Sequence, residues 1–235
     1  MIDPSAGSGT FLIEYMKFIT KNMKYRNRNT DGYNSELGTA RAVKDKVLSD
    51  WFYPDHRENK WAQTFIYGSE INFNLGTATK VNMILHGDGS TNIFVKDGLL
   101  PFDKYEKASS HNVMHDSHKD DLYDNREVNE RFDLILTNPP FSVELDNDTK
   151  KTVKKDFMFG GKKNSENLFI ERWYQLLREN GRLAAVLPES VFDTTENKYI
   201  RLFLYKYFKI KAVVSLPQIA FEPYTSTKTS ILFAQ

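Results

Sequence analysis

The most chemically pointed stretch of this sequence is Asn138-Pro139-Pro140-Phe141, which follows the apolar run from Phe132 to Thr137. Two successive prolines cannot continue a strand, and they hold the backbone extended and stiff. The Asn138 amide and the Pro139 main-chain carbonyl become preset hydrogen-bond acceptors, and Phe141 places a flat apolar face beside them. That set suits an amino group on an aromatic ring, whose lone pair is delocalised and a poor nucleophile. Acceptors on its two N–H bonds raise electron density on nitrogen and favour a tetrahedral geometry. This is electrostatic preorganisation, and it needs no strong base. Asn-Pro is also ordinary turn chemistry; the apolar run in front of it favours the chemical role.

Three further stretches could meet it. In Asp3-Pro4-Ser5-Ala6-Gly7-Ser8-Gly9 the glycines let main chain approach a ligand, and the helix expected next aims its free N–H groups at the same place. A dinucleotide fingerprint wants glycine or alanine at position 12, where Leu12 stands, so a ligand with a smaller polar group is preferred. Glu70 follows an apolar run and can accept both hydroxyls of a ribose. Asp97 is placed to accept a proton from an exocyclic amine, with Asp88 as a competitor. Lys150, Lys151, Lys154, Lys155, Lys162 and Lys163 form a local basic patch suited to phosphates. His111, His115 and His118 would share a face only if that stretch were helical, and a metal site there is disfavoured.

A strand must precede each of the first four stretches for them to converge, because ligands of a doubly wound sheet bind at the carboxyl ends of its strands. Strands are expected near 64–67 (ending at Gly68-Ser69-Glu70), 93–95, 132–137, 183–187, 212–216 and 229–233. Helices are expected after Gly9, with Phe11, Leu12, Tyr15, Phe18 and Ile19 on one apolar face, and over 75–85, 168–177 and 199–207. One more helix is expected around 40–48. Alternation of this kind predicts an α/β fold with a doubly wound, mostly parallel sheet in a single domain over 1–235. The polar stretches 24–60, 103–131 and 142–165 read as insertions or mobile loops.

The 235 residues include 32 Lys+Arg against 31 Asp+Glu, so any attraction to nucleic acid must be local. The absence of cysteine excludes disulfides, thiol catalysis and cysteine metal sites. No apolar run is long enough for a membrane span and no secretory signal is present, which makes a cytoplasmic location the default.

The Asp3–Phe11 and Asn138–Phe141 motifs resemble those of amino-group DNA adenine methyltransferases, and more narrowly the modification (M) subunit of type I restriction–modification systems. Gly68-Ser69-Glu70, 82–87, 181–188 and 221–233 support the resemblance. It implies a class I S-adenosylmethionine-dependent, Rossmann-like methyltransferase fold, S-adenosylmethionine as donor, and adenine N6 in duplex DNA as acceptor. It further implies that Asp3, Gly7 and Gly9 hold the methionine end of the cofactor, Glu70 its ribose and Asp97 its adenine, with Ala6, Thr10 and Ile71 alongside. Asn138, Pro139 and Pro140 would bind the target amine and Phe141 would stack on the base. Separate specificity and restriction subunits are implied partners. The family starts with a helical region and a full first strand, so the chain reads as truncated at its N-terminus. Two other readings stay open: a methyltransferase of protein glutamine or ribosomal RNA amines, and an inactive remnant that binds cofactor or partners.

Overall fold

The computed structural model describes residues 1–26, 50–52, 59–87, 92–105, 113–141, 143, 145, 147–161 and 165–235. The strands of the main sheet are β1 (Ile2–Asp3), β2 (Tyr67–Ser69), β3 (Ile93–Phe94), β6 (Phe132–Thr137), β7 (Leu177–Pro188), β8 (Ile210–Ser215) and β9 (Thr229–Ala234). They run in the order β3-β2-β1-β6-β7-β9-β8. All neighbours are parallel except β9, which is antiparallel to both β7 and β8. The sheet is therefore doubly wound, with its switch point between β1 and β6. Strand β6 covers the expected residues to the letter.

Helices α1 (Thr10–Arg26), α2 (Ala62–Phe65) and α3 (Phe73–Leu85) follow the first part of the sheet. Helices α4 (Asn147–Asp156), α5 (Ser165–Leu176), α6 (Ser190–Asp193) and α7 (Lys198–Tyr207) belong to the second. Two cores result, as burial on both faces of a parallel sheet requires. One joins Leu12, Ile13, Met16, Ile66 and Met83, with Leu134 and Leu136 packed against it. The other joins Ile2, Ile135, Leu168, Trp173, Leu183 and Phe203. Alternation along β6 thus sends Leu134 and Leu136 to one face and Ile135 to the other.

The structure corrects the sequence reading in five places. Residues 62–65 are helical and the strand begins at Tyr67, continuing through Gly68. Gly68 reads as a strand end in the sequence but is a packing position, since a Cβ there would lie 2.7 Å from Leu12 Cδ1. Helix α1 buries Leu12, Ile13 and Met16, whereas Phe11 and Phe18 of the expected face are exposed and overhang an open groove against β6, β7 and β9. Within 113–131 lies an antiparallel pair, β4 (His118–Asp120) and β5 (Arg126–Val128), rather than a loose excursion. It is anchored because Met114, Tyr123, Val128 and Asn129 are fully buried. Finally, 142–165 contains α4, whose Val153 is buried. The helix expected at 40–48 lies outside the described residues.

Candidate active site

At the switch point the ends of β1 and β6 are tied together by one carboxylate. Asp3 is 1% exposed, and its Oδ1 accepts from Thr137 Oγ1 at 2.7 Å and from the Ser5 N–H at 3.0 Å. Ser5 Oγ and Thr137 Oγ1 are 2.8 Å apart and close the triangle. Thr137 immediately precedes Asn138, so this cluster fixes the glycine stretch and the diproline corner relative to each other. Burial pushes the Asp3 carboxyl up to about 7, despite the hydrogen bonds from Thr137 and Ser5 that oppose the shift. Between its ordinary value and 7 the folded protein therefore holds a proton that the unfolded chain has released. Stability from this group is present in full at low pH and is lost as pH rises through that window, at up to about 1.4 kcal/mol per pH unit. In Asp3→Asn the difference in urea midpoint between pH 4.5 and 7.5 is expected to shrink accordingly. An unchanged pH dependence in this variant would refute the assignment.

Glycine geometry shapes the turn after β1. Gly7 and Gly9 have φ of +56° and +83°, the left-handed region that favours glycine. A Cβ on Gly9 would sit 2.7 Å from Thr79 Cγ2. Helix α3 grips this turn: Thr79 Oγ1 donates to Gly7 O at 2.6 Å, and Asn82 Nδ2 to Ser8 O at 3.1 Å. Glu70, at the end of β2, accepts from the Gly7 N–H at 2.9 Å through Oε2 and from the Asn72 N–H at 2.8 Å through Oε1. Its carboxylate keeps free lone pairs beyond these two bonds. Next to it, the loop after β3 presents Asp97, whose Oδ1 accepts from Leu99 N–H at 2.9 Å and whose Oδ2 accepts from Thr149 Oγ1 of α4 at 3.2 Å.

These elements wall a crevice of about 570 Å³ at the carboxyl ends of β1, β2, β3 and β6. Gly7, Glu70, Ile71 and Asp97 line one side, and Asn138, Pro139, Pro140 and Phe141 the other. The corner is braced from α5, where Ser165 Oγ donates to Pro140 O at 3.3 Å and accepts from Val143 N–H at 3.1 Å. Asn138 Oδ1 is buried and has no hydrogen-bond partner among the described residues. An acceptor left unpaired away from water costs about 1–3 kcal/mol, so such an atom calls for a functional account.

The N-6 DNA methylase family model matches residues 1–235. The chain belongs to that family. Among curated relatives, this chain is 31% identical over 105 residues to the type I restriction enzyme EcoEI methylase subunit of Escherichia coli, covering 44% of the chain and 21% of the relative. It is 25% identical over 223 residues to the type II restriction enzyme and methyltransferase RM.BcgI of Heyndrickxia coagulans, covering 94% of the chain and 25% of the relative. A solved type I restriction-modification system methyltransferase subunit from Streptococcus thermophilus superposes with a TM-score of 0.56 at 21% identity, covering 100% of this chain and 39% of that one. The chain thus spans well under half the length of these relatives. Its fold is that of class I S-adenosylmethionine-dependent methyltransferases.

Not every expected site residue faces the crevice. Asp3 lies beneath it, bonded to Thr137 and Ser5, and Ala6, Gly9 and Thr10 shape the turn without lining the cavity. Lys150, Lys151, Lys154 and Lys155 lie exposed on α4 rather than in a loop, outside the crevice lining. Lys162, Lys163, Asp88 and His111 lie outside the described residues. His118 sits in strand β4 and pairs with Glu130 at 2.7 Å, so the histidine face that a helix would create does not form. No group of three His, Asp or Glu able to hold a metal occurs among the described residues, and no described helix is long and apolar enough to cross a membrane.

Several site residues escaped the sequence reading. Phe221, Tyr224 and Thr225, from the β8–β9 connection, line the crevice opposite the glycine turn. Thr79 and Asn82 were legible only as two of several polar residues on α3, and Ser165 as a serine at a helix start.

Proposed function

We propose that this chain transfers a methyl group from S-adenosylmethionine to the N6 amine of adenine in duplex DNA, as the catalytic core of a type I modification subunit. The observation that carries this reading is the buried, unpartnered Asn138 Oδ1 in the same crevice as Gly7, Glu70 and Asp97. The residues present fit the cofactor. The crevice has the volume of a small-molecule site, roughly 300–1,000 Å³. A side chain at Gly7 would meet no protein atom within 4 Å and would instead project into open space. Two carboxylates, Glu70 and Asp97, supply acceptors for the hydroxyls and amine of a nucleoside.

When bound, the cofactor supplies an electrophilic sulfonium methyl. The protein's part is to orient the acceptor: Asn138 Oδ1 and the Pro139 carbonyl accept from the two N–H bonds of the target amine, so nitrogen gains nucleophilic character as it becomes tetrahedral. Phe141 and Phe221 offer apolar surface to the base ring. In a base pair thymine holds one of the two N–H bonds of this amine, so both can be accepted only once the base has left the helix. DNA and a separate specificity subunit, together with a restriction subunit, are the partners consistent with the relatives, since the family takes sequence recognition from elsewhere. The test is transfer of tritiated methyl to duplex DNA, ribosomes and release factors in parallel. Label at adenine N6 supports the reading, and label only on glutamine or ribosomal RNA overturns it.

The lysines of α4 are assigned to the DNA backbone. Replacing Lys150, Lys151, Lys154 and Lys155 by alanine is expected to weaken duplex binding and to flatten its salt dependence by about 0.9 in log–log slope for each phosphate no longer neutralised. Fluorescence anisotropy across a salt series reads this. An unaltered slope places the DNA elsewhere.

A further inference from the structure

The loop bearing Asp97 is held from behind by a buried arginine. Arg172 of α5 is 1% exposed, and its Nη2 donates to the main-chain oxygens of Leu99 and Leu100, each at 2.9 Å. Its guanidinium lies 4.5 Å from the Phe102 ring centroid and 4.7 Å from that of Phe157. Phe102 starts the short 3-10 turn after the Asp97 loop, and Phe157 directly follows α4. The constraint reaches the carboxylate through one residue: Leu99 gives its carbonyl to Arg172 and its N–H to Asp97 Oδ1 at 2.9 Å. Tyr105 Oη steadies the same loop by donating to Asp97 O at 2.9 Å.

Arg172 makes no salt bridge among the described residues, and burial lowers its pKa from the usual range. The carboxylates of Asp97, Asp156 and Glu171 act on this cation without ion-pair contact among the described residues, and an apolar side chain of similar volume would fill the space at less desolvation cost. What an apolar side chain cannot do is donate from one nitrogen to two adjacent carbonyls while a planar cation lies against two rings. Helix α5 also bears Ser165, which braces the diproline corner. One rigid element therefore indexes both walls of the crevice.

We propose that Arg172 is a positioning residue for recognition of the cofactor's adenine amine, fixing the Asp97 carboxylate through Leu99. The proposal rests on the reading of the crevice as an S-adenosylmethionine site. It concerns the end of the crevice that selects an amino-purine, so its effect falls on discrimination of the purine rather than on the methyl-transfer step.

Calorimetry with S-adenosylhomocysteine and with its hypoxanthine counterpart, S-inosylhomocysteine, tests this on the full chain. The wild-type protein is expected to prefer the amine-bearing compound by about tenfold or more, the scale of a hydrogen bond to a charged group. In Arg172→Met that preference is expected to collapse to about threefold or less through weaker binding of S-adenosylhomocysteine, with S-inosylhomocysteine little affected. Arg172→Lys, which keeps a charged donor but not the planar group held against Phe102 and Phe157, is expected to fall between. Should Arg172→Met not fold, Phe157→Leu, which removes one stacking face and leaves the arginine in place, carries the same comparison. A preference unchanged in every folded variant overturns the proposal, and so does equal weakening of both compounds, which would mark Arg172 as merely structural. A wild-type protein that binds neither compound overturns the cofactor reading and the proposal with it, a result distinct from a variant that binds without loss of preference.

Discussion

Replacing Asn138 by alanine is expected to lower methyl transfer to duplex DNA by about 10²–10³-fold, the loss found when one preorganised group at a reacting centre is removed. Cofactor affinity is expected to stay within about threefold of wild type, because Glu70, Asp97 and the glycine turn are untouched. Stability separates this outcome from simple damage. Asn138 Oδ1 is buried without a partner among the described residues, so the native fold bears its desolvation cost. Asn138→Ala removes that cost and is expected to unfold at the same or a higher urea concentration. A variant that is stable, binds cofactor and transfers no methyl places Asn138 on the acceptor amine. Normal transfer would mean that the diproline corner is structural, and a large drop in stability would mean that the amide has a partner in the fold.

The second large effect is expected at Gly98. A Cβ there would lie 2.0 Å from Pro4 O and 3.0 Å from Pro4 C, backbone atoms that no rotamer change can move. Gly98→Ala must therefore force the loop after β3 away from the turn after β1. Those are the two elements that carry Asp97 and Gly7 to the crevice. Overpacking of this kind costs about 1–3 kcal/mol, and the displaced Asp97 is expected to weaken cofactor binding by at least about tenfold. Gly161→Ala is the matched control, since a Cβ at that position meets nothing within 4 Å. If both variants show the same urea midpoint and the same calorimetric affinity, the close approach of the two loops has no role in forming the site.

The sequence foretold the convergence because it is encoded locally. Apolar runs end at Glu70, near Asp97 and at Asn138, and in a parallel sheet every such end lies on one edge. Strand β6 could be read residue for residue since Phe132–Thr137 is bounded by polar residues before and prolines after. What stayed hidden depends on contacts across long spans of chain. Asp3 reads as a ligand-facing acid, yet its partner Thr137 lies 134 residues away and draws it under the crevice floor. Thr79 meets Gly7 across 72 residues and Arg172 meets Leu99 across 73, and neither bond leaves a periodic trace. The face of α1 was misread for a related reason: periodicity marks Phe11 and Phe18 as apolar but does not say which neighbour, if any, covers them. Around the pair β4 and β5, a polar composition concealed the buried Met114, Tyr123, Val128 and Asn129.

A crystal structure of the chain with S-adenosylhomocysteine bears most directly on whether donor and acceptor can meet. The ligand is expected in the crevice, its purine against Asp97, its ribose against Glu70, and its thioether facing Asn138. A ligand in the groove between α1 and β9 on the opposite side of the sheet, or one whose sulfur faces away from Asn138, would contradict the account.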